Sequence, residues 1–243
     1  MARDGDILFS VIIPSTGNRP KALQKAVSSV DTAARFAGLE SGQIEILIGF
    51  DGVRGKIPTA DYMVRAFNLP RDNDWGNGIR DMLLKVASGE KVIFLDDDNV
   101  IKPYTLKQYI KHFDAEMVVG RIDTQLAFDQ PFKPVFDSGA MIRPDNIDPL
   151  CLCLSRRLVV DRCGGWQYRG KSDADYRNIL EWHRRAHSVT VIEEVVGIYD
   201  AGRSLDSRAL SSRQTGLLDR LAAGRVASAN SVGRSAFQGL ALA

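Results

Sequence analysis

The sequence predicts an α/β fold in which a doubly wound, mostly parallel sheet is flanked by helices. Short apolar runs rich in Val, Ile and Phe alternate with longer segments whose apolar residues repeat at helical spacing. Glycine, proline and aspartate bound most of these segments, as expected where strands end and turns begin. Because strands that alternate with helices usually pair in parallel, this order predicts one layered domain.

The first hundred residues predict the order strand, helix, strand, strand, helix, strand. The first helix should begin at Pro20, since the first helical turn does not need the N–H that proline lacks. Gly89 is expected to end the second helix. The strands are predicted at residues 7–14, 44–50, 62–68 and 92–95, and the second helix at 79–86.

The second half of the chain is less regular. A helix should follow Pro103, with Ile110 on its inner face. The segment from Val118 to Pro149 should hold one or two strands that cover the ligand side of the sheet. Later elements are predicted as a strand at 151–154, a short helix at 156–162, a helix at 172–187 and a strand at 188–195.

Composition is that of an ordinary soluble globular protein, with 44% hydrophobic and 26% charged residues in 243. The net charge of +2 argues against nucleic-acid binding. Three cysteines are an odd number, which argues against a disulfide framework and for reduced thiols. No apolar stretch approaches the roughly 20 residues of a membrane helix. These features predict a cytoplasmic location.

The segment 205–243 differs from the rest because small residues dominate and arginines outnumber acidic residues. Leu217, Leu218 and Leu221 can line one side of a helix. Such a basic tail can lie on the inner face of an anionic membrane, pack on its own domain, join a second subunit as a homodimer, or be disordered. We therefore expect a domain over residues 1–204 and a helical or flexible tail.

Three consecutive carboxylates, Asp96, Asp97 and Asp98, directly follow the strand at 92–95. A buried, unpaired charge is costly, so these groups must meet water, a cation or a cationic ligand. Ligands bind at the carboxyl ends of strands in open α/β sheets, and Mg²⁺ and Mn²⁺ prefer oxygen ligands. The cluster therefore predicts a metal site, and a solvated acidic turn that opens a helix is the alternative.

Two other strand ends should lie beside this cluster, namely the loop from Pro14 to Arg19 and Asp51. Together the three would form a cleft that suits a nucleoside diphosphate, with base and ribose near Asp51 and phosphates at the metal. The sequence contains no glycine-rich phosphate-binding motif, so the metal would have to hold the phosphates.

Four motifs in this order resemble the family 2 glycosyltransferases, whose GT-A fold is a Rossmann-like α/β fold. They are Ser10–Pro14, Ile46–Asp51, Arg80-Asp81 followed by Ala87–Asp98, and Gly164-Gly165-Trp166 followed by Ser172–Tyr176. The resemblance covers about residues 8 to 200. It implies a hexosyltransferase that moves one sugar, with inversion, from a nucleotide diphosphate sugar to a hydroxyl, as in polysaccharide biosynthesis.

The resemblance also implies roles for individual residues. Asp96 and Asp98 would hold Mn²⁺ or Mg²⁺, which stabilises the leaving nucleoside diphosphate. Asp173 would accept the proton of the acceptor hydroxyl as general base, with Asp175 as its substitute. The donor, expected to be a UDP-sugar, would be bound by Pro14, Thr16, Arg19, Asp51, Arg80 and Asp97. The acceptor, a saccharide or a lipid-linked group, would meet Trp166 and Asp175 in an acceptor-side half from about residue 101 to 204.

The sequence departs from the family pattern at two places. The family commonly has a base-stacking aromatic after Pro14, where this chain has Ser15-Thr16-Gly17, so the identity of the base stays open. Ser172 replaces a glutamate, and with Asp175 it forms a capping-box pattern in which Asp173 would only complement the helix dipole.

Two alternative functions remain. A sugar-1-phosphate nucleotidyltransferase would need a glycine-rich basic loop after the first strand, and the loop after Pro14 has one glycine. A non-catalytic partner subunit that binds nucleotide sugar is the second alternative. The tryptophans Trp75 and Trp182 are expected in the core, whereas Trp166 is a candidate sugar platform.

Overall fold

A single sheet with helices packed on it organises the part of the chain that the computed structural model describes, residues 6–170, 173–202 and 205–206. In chain order its elements are β1 (Phe9–Ser15), α1 (Pro20–Ala37), β2 (Ile44–Asp51), β3 (Met63–Leu69), α2 (Asn77–Val86), β4 (Lys91–Phe94), β5 (Val100–Ile101), α3 (Thr105–Lys111), β6 (Met117–Asp123), β7 (Phe132–Lys133), a 3₁₀ turn (Pro149–Cys151), β8 (Leu152–Ser155), a π-helical turn (Arg157–Arg162), α4 (Ala174–Arg185) and β9 (Val189–Ile198).

The sheet has the strand order β3-β2-β1-β4-β8-β6-β9-β5, and β7 pairs with β6. Strands β3, β2, β1 and β4 pair with one another in parallel, as the sequence predicts. In the second half β8 runs antiparallel to both β4 and β6, while β6 and β9 pair in parallel. The predicted mostly parallel α/β sheet is confirmed, and its mixed character is confined to the second half.

The first helix begins where the sequence predicts. Pro20 opens α1, and Gly38 ends it in the left-handed conformation with φ of 74°. Leu23, Val27 and Val30 form the buried stripe of this helix. Such a stripe is the hydrophobic face that holds a helix on a sheet. A short loop separates the end of β1 at Ser15 from the start of α1 at Pro20, so the helix begins at the edge of the sheet where the strand-end loops meet.

The parallel pairing of β1 and β4 brings the acidic cluster beside the loop after β1, as expected of these strand ends. The N–H of Leu95 donates to the carbonyl of Ile12 at 3.0 Å, which extends the pairing of β1 and β4 up to the acids. Beneath this point Phe94 packs in parallel against Trp182 with ring centroids 5.5 Å apart. Trp182 is thus a core residue, as expected.

The remaining differences are local. The predicted helix at 156–162 is a π-helical turn, and α4 begins at Ala174. Ile110 is partly exposed on α3, so its expected place on the inner face is wrong. The two-residue strand β5 has too few residues to give a sequence pattern. Of the predicted tail at 205–243, residues 207–243 lie outside the described residues. Within the described ranges, no helix has both the length and the apolar composition needed to cross a membrane.

Gly49 in β2 gives a test of how closely α2 packs on the sheet beneath the site. A Cβ at this position would lie 2.4 Å from Cγ2 of Ile79 and 3.1 Å from Cδ1 of Leu69. We expect Gly49→Ala to lower the free energy of unfolding by about 1–3 kcal/mol, because a packed core has no space for the extra methyl group. Denaturant unfolding measures this change.

The matched control is Gly42→Ala, since a Cβ at Gly42 would enter open space among the described residues. Equal effects of the two substitutions would contradict the packing described for β2 and α2.

Candidate active site

The acids after β4 are neutralised by an arginine of the same chain. Asp97 is fully buried, and its Oδ1 lies 2.5 Å from Nη2 of Arg19. Ser15 donates its hydroxyl to the other oxygen of Asp97 at 2.6 Å. Arg19 also forms an ion pair with Asp98 through its Nη1. The sequence predicts that these acids meet water, a cation or a cationic ligand, and in the described structure Arg19, directly before α1, supplies positive charge to Asp97 and Asp98.

A second arginine, Arg80 on α2, holds the first acid of the cluster. Arg80 is buried, and its Nη2 forms an ion pair with Asp96. Its Nη1 donates to the carbonyl of Trp75 at 3.0 Å. The guanidinium carbon lies 5.0 Å from the ring centroid of Trp166, within the range of a cation–π contact. These contacts fix Arg80 at the strand end, while the Asp96 side chain stays 38% exposed.

Burial shifts the pKa values of the acids in this cluster. Burial raises the pKa of Asp98 to about 7, against the opposing charge of Arg19 and with help from Asp97 and Asp96. Burial also raises the pKa of Asp97, although Arg19 and the hydroxyl of Ser15 oppose the change. Burial therefore disfavours the charged form of these carboxylates, and an additional cation would stabilise it.

Two further acids from distant parts of the chain, Asp148 and Asp175, interact electrostatically with Asp96. Burial raises the pKa of Asp148 to about 7, and the charges of Asp96 and Asp175 add to this effect. Burial likewise raises the pKa of Asp175, with Arg80 opposing and Asp96 adding to the shift. Sequence reasoning missed Asp148, because its segment has no motif and only tertiary structure brings it to the cluster.

Asp51 has a different environment from the acids after β4. Its carboxylate oxygens accept from the N–H groups of Asp72, at 2.6 Å, and Asn73, at 3.2 Å. Asp51 thus anchors the loop between β3 and α2 to the end of β2. Pro14 is buried at the end of β1, and Thr16 donates to Asn18 at 2.5 Å on the exposed loop that follows.

The tryptophans correct two expectations. Trp166 is 1% exposed, and its Nε1–H donates to Oδ1 of Asn77 at 3.0 Å. Its ring packs edge-on against Phe94 and cannot serve as an exposed sugar platform. Trp75, expected in the core, is 76% exposed instead. Hydrophobicity alone does not distinguish the two, because loop anchoring decides which ring is covered.

The start of α4 carries the two candidate bases in different settings. Asp173 stands at the N-cap position, and its Oδ2 accepts from Nε of Arg177 at 2.8 Å on the surface. Asp175, the second residue of α4, interacts electrostatically with Arg80 and Asp96. Ser172, the other member of the predicted capping box, lies outside the described residues.

The segment before α4 is tied to α2. Arg169 forms an ion pair with Asp81, and the N–H of Gly170 donates to the carboxylate of Asp74 at 2.9 and 3.0 Å. These contacts connect the Gly-Gly-Trp segment to the helix that carries Arg80.

The donor set fits a divalent cation that shares its ligands with a substrate. In residues 6–170, 173–202 and 205–206, no three acidic, histidine or cysteine side chains converge to hold a metal by themselves. Mg²⁺ typically takes one or two carboxylates and completes its shell with phosphate and water. Asp96 and Asp98 would supply two such carboxylates, and the negative charge of the neighbouring acids favours a cation there.

The sheet, its flanking helices and the charged end of β4 match the GT-A glycosyltransferase fold. The chain belongs to glycosyl transferase family 2, because the model of that family matches residues 10–166. This membership favours a glycosyltransferase over the nucleotidyltransferase alternative. No curated protein sequence matches the chain.

Solved structures share this fold at low sequence identity. The S. aureus TarS 1-349 structure has a TM-score of 0.63 at 16% identity, covering 79% of this chain and 60% of TarS 1-349. The same protein in complex with UDP-GlcNAc matches with a TM-score of 0.63 at 19% identity, over 79% of this chain and 58% of that one. The mannosyltransferase PcManGT from Pyrobaculum calidifontis, in complex with GDP-Man and Mn²⁺, matches with a TM-score of 0.53 at 13% identity, over 80% of this chain and 57% of that one. This chain therefore spans about 60% of the TarS chain it matches.

The raised pKa values predict an unusual dependence of stability on pH. A carboxyl group with a folded pKa of about 7 binds a proton more tightly in the folded than in the unfolded chain. Such a group destabilises the fold progressively as pH rises from about 4 to 7. Each of Asp98 and Asp148 contributes at most about 1.4 kcal/mol per pH unit. Glu116 and Asp137, whose pKa is lowered to about 2, lose their stabilisation only below about pH 4.

We therefore expect the free energy of unfolding, measured with a chelator present, to fall between pH 5 and 7, and to fall less steeply in Asp98→Asn. The exposed Asp114→Asn is the control and should keep the wild-type slope. A wild-type stability that rises over this range would contradict the assignment.

Proposed function

We propose that the chain transfers one sugar from a nucleotide diphosphate sugar to a hydroxyl acceptor with inversion of configuration. The observation that carries the proposal is the pair of arginines, Arg19 and Arg80, each held by carboxylates at the carboxyl end of β4. Membership of glycosyl transferase family 2 supports the reaction type. Solved structures of this fold in complex with UDP, UDP-GlcNAc and GDP-Man support a nucleotide sugar as donor.

The donor would lie across the ends of β1, β2 and β4. Pro14, Thr16 and Asp51 would border the base and ribose, and Asp97, which Arg19 and Ser15 hold rigidly, would support the ribose or sugar. A diphosphate is a strong acceptor for guanidinium groups, so Arg19 and Arg80 can exchange part of their carboxylate contacts for phosphate oxygens. We propose a UDP-sugar as the first donor to test.

Asp96 and Asp98 would hold the divalent cation, Mn²⁺ or Mg²⁺. Asp96 is the most accessible of the three consecutive acids, and burial raises the pKa of Asp98 to about 7. When bound, the cation supplies Lewis-acid stabilisation of the negative charge on the leaving diphosphate. The arginines keep the neighbouring carboxylates in place.

The acceptor hydroxyl needs a base on the face of the sugar opposite the leaving group. Motif position favours Asp173, whereas the electrostatic interaction of the half-buried Asp175 with Arg80 and Asp96 favours Asp175. A raised pKa also suits a general base, because it brings proton affinity closer to working pH. We propose Asp175 as the base and Asp173 as the residue that orients the start of α4 through Arg177.

Other expectations are carried forward as proposals. The acceptor is proposed to be a saccharide or a lipid-linked group. All three cysteines are buried and unpaired, which supports the proposed cytoplasmic location. Peripheral membrane contact or a homodimer through residues 205–243 remains a proposal for the tail.

The metal proposal predicts that donor binding and turnover depend on a divalent cation. Turnover of UDP-sugars should stop with EDTA and return with Mn²⁺ or Mg²⁺. Asp96→Asn should lower turnover by at least about 10²-fold, because it removes a ligand that stabilises developing charge. Product UDP release and sugar transfer measure the effect.

Asp114→Asn is the matched control, since Asp114 lies beside the start of β4 and not at its end. Full activity of the wild type in EDTA would refute the metal proposal. Metal-dependent binding without any turnover would identify the chain as the non-catalytic partner subunit.

Paired substitutions decide between the two candidate bases. Asp175→Asn should lower transfer by about 10²- to 10⁴-fold, because it removes the ability to accept a proton while keeping the side chain's size. Its affinity for donor and metal should change little. Asp173→Asn should leave transfer within a few-fold of wild type, and unfolding experiments should show only a small change in stability.

The reverse pattern would return the base to Asp173, the position given by the motif. If neither substitution changes transfer, the base lies elsewhere, and Asp148 is then the next carboxylate to test.

A further inference from the structure

Trp75 combines two features that rarely occur together. It is 76% exposed, whereas Trp166 and Trp182 are each 1% exposed. Its backbone also lies in the left-handed region, with φ of 47°. A bulky side chain is an outlier in this region, which favours glycine, asparagine or aspartate. Burial of the ring does not offset the backbone strain, so the position points to a functional constraint.

The loop that carries Trp75 is anchored to the donor side of the cleft. Asp51 binds the N–H groups of Asp72 and Asn73, which joins the loop to the end of β2. The next residue after Trp75 lies against Pro14, because a Cβ on Gly76 would be 2.8 Å from the Pro14 Cβ. The backbone around the exposed indole is thus fixed at the ends of β1 and β2.

Trp75 is also connected directly to the charged centre. Its carbonyl accepts from Nη1 of Arg80 at 3.0 Å, and Arg80 pairs with Asp96. The same arginine therefore contacts both the backbone of the exposed Trp75 and the first acid of the cluster. The loop between β1 and α1 offers no aromatic residue of its own, since residues 15–19 are Ser, Thr, Gly, Asn and Arg.

We propose that Trp75 is the stacking surface for the nucleobase of the donor, an inference that rests on the proposed function. A nucleobase has a flat π-face, which binds to an indole ring without needing a specific hydrogen-bond pattern. The anchors at Asp51 and Pro14 favour the base over the acceptor sugar. One contact, from the N–H of Gly170 to Asp74, links the loop to the acceptor side, so the acceptor is the alternative that the experiment must separate.

The decisive variant is Trp75→Gly. Glycine adopts a φ of 47° without strain, so this substitution removes the indole while it preserves or improves the backbone. The thermal midpoint of unfolding should therefore stay at or above that of the wild type. Affinity for UDP and GDP in Mn²⁺ should fall by about 5- to 150-fold, the range for loss of one base–aromatic stack. Trp75→Phe should retain most of the affinity.

Inorganic pyrophosphate is the probe that lacks a base, and its affinity should be the same in wild type and Trp75→Gly. Phe36→Ala is the control protein, because Phe36 is an exposed aromatic near the end of α1. It should bind UDP and GDP as the wild type does. Nucleotide should also quench the fluorescence of the exposed tryptophan in the wild type, and this quenching should be absent in Trp75→Phe.

Equal affinity of wild type and Trp75→Gly for both nucleotides would overturn the inference. An unchanged nucleotide affinity with a raised KM for the acceptor would overturn it too, and would assign Trp75 to the acceptor. A wild type that binds neither nucleotide would refute the proposed function itself. These results are distinguishable because the first two need a wild-type protein that binds nucleotide.

Discussion

The arrangement at the carboxyl end of β4 depends on the ion pairs of Arg19 with Asp97 and Asp98. Asp97 is fully buried, and a buried carboxylate without a partner would destabilise the fold by several kcal/mol. Arg19 can reach both acids because α1 begins at the next residue and β1 ends beside β4. The same contact therefore joins the first helix, the first strand and the central strand, and it sets the position of the loop that would border a donor.

Arg80 connects the loop before α2 and the Gly-Gly-Trp segment to the end of β4, as Arg19 connects the start of α1 to it. It contacts Asp96, the carbonyl of Trp75 and the ring of Trp166, so one side chain connects the strand end, the loop before α2 and the Gly-Gly-Trp segment. Because Arg80 is buried, movement of any one of these groups changes the electrostatic environment of the others. The motif suggests a donor contact for Arg80, and the structure shows that the same side chain holds these three groups together.

Sequence was sufficient where local chemistry decides the outcome and insufficient where distant segments meet. Pro20, Gly38 and the run before Asp96 mark boundaries that the structure keeps, because turn and cap preferences are local. The antiparallel insertion of β8 between β4 and β6 has no local signal, since register across a sheet is a long-range property. For the same reason the sequence does not indicate Asp148. It also does not indicate that Trp75 is exposed and Trp166 buried, the opposite of the expectation for each. Composition cannot show a left-handed backbone at Trp75.

The charges at the end of β4 compensate one another incompletely. Burial raises the pKa of Asp98 although Arg19 opposes the change, and it raises the pKa of Asp175 although Arg80 opposes it. Burial also raises the pKa of Asp148, with Asp96 and Asp175 adding to the shift. A nucleoside diphosphate alone would compete with these carboxylates for the same guanidinium groups. A divalent cation alone would meet carboxylates already engaged by arginine. Bound together, cation and diphosphate would give each group a partner of opposite charge, with carboxylate on metal and phosphate on arginine. Under the proposed function, the electrostatics of this site would therefore favour joint binding of metal and nucleotide over binding of either one, a thermodynamic coupling between two ligands that share one set of residues.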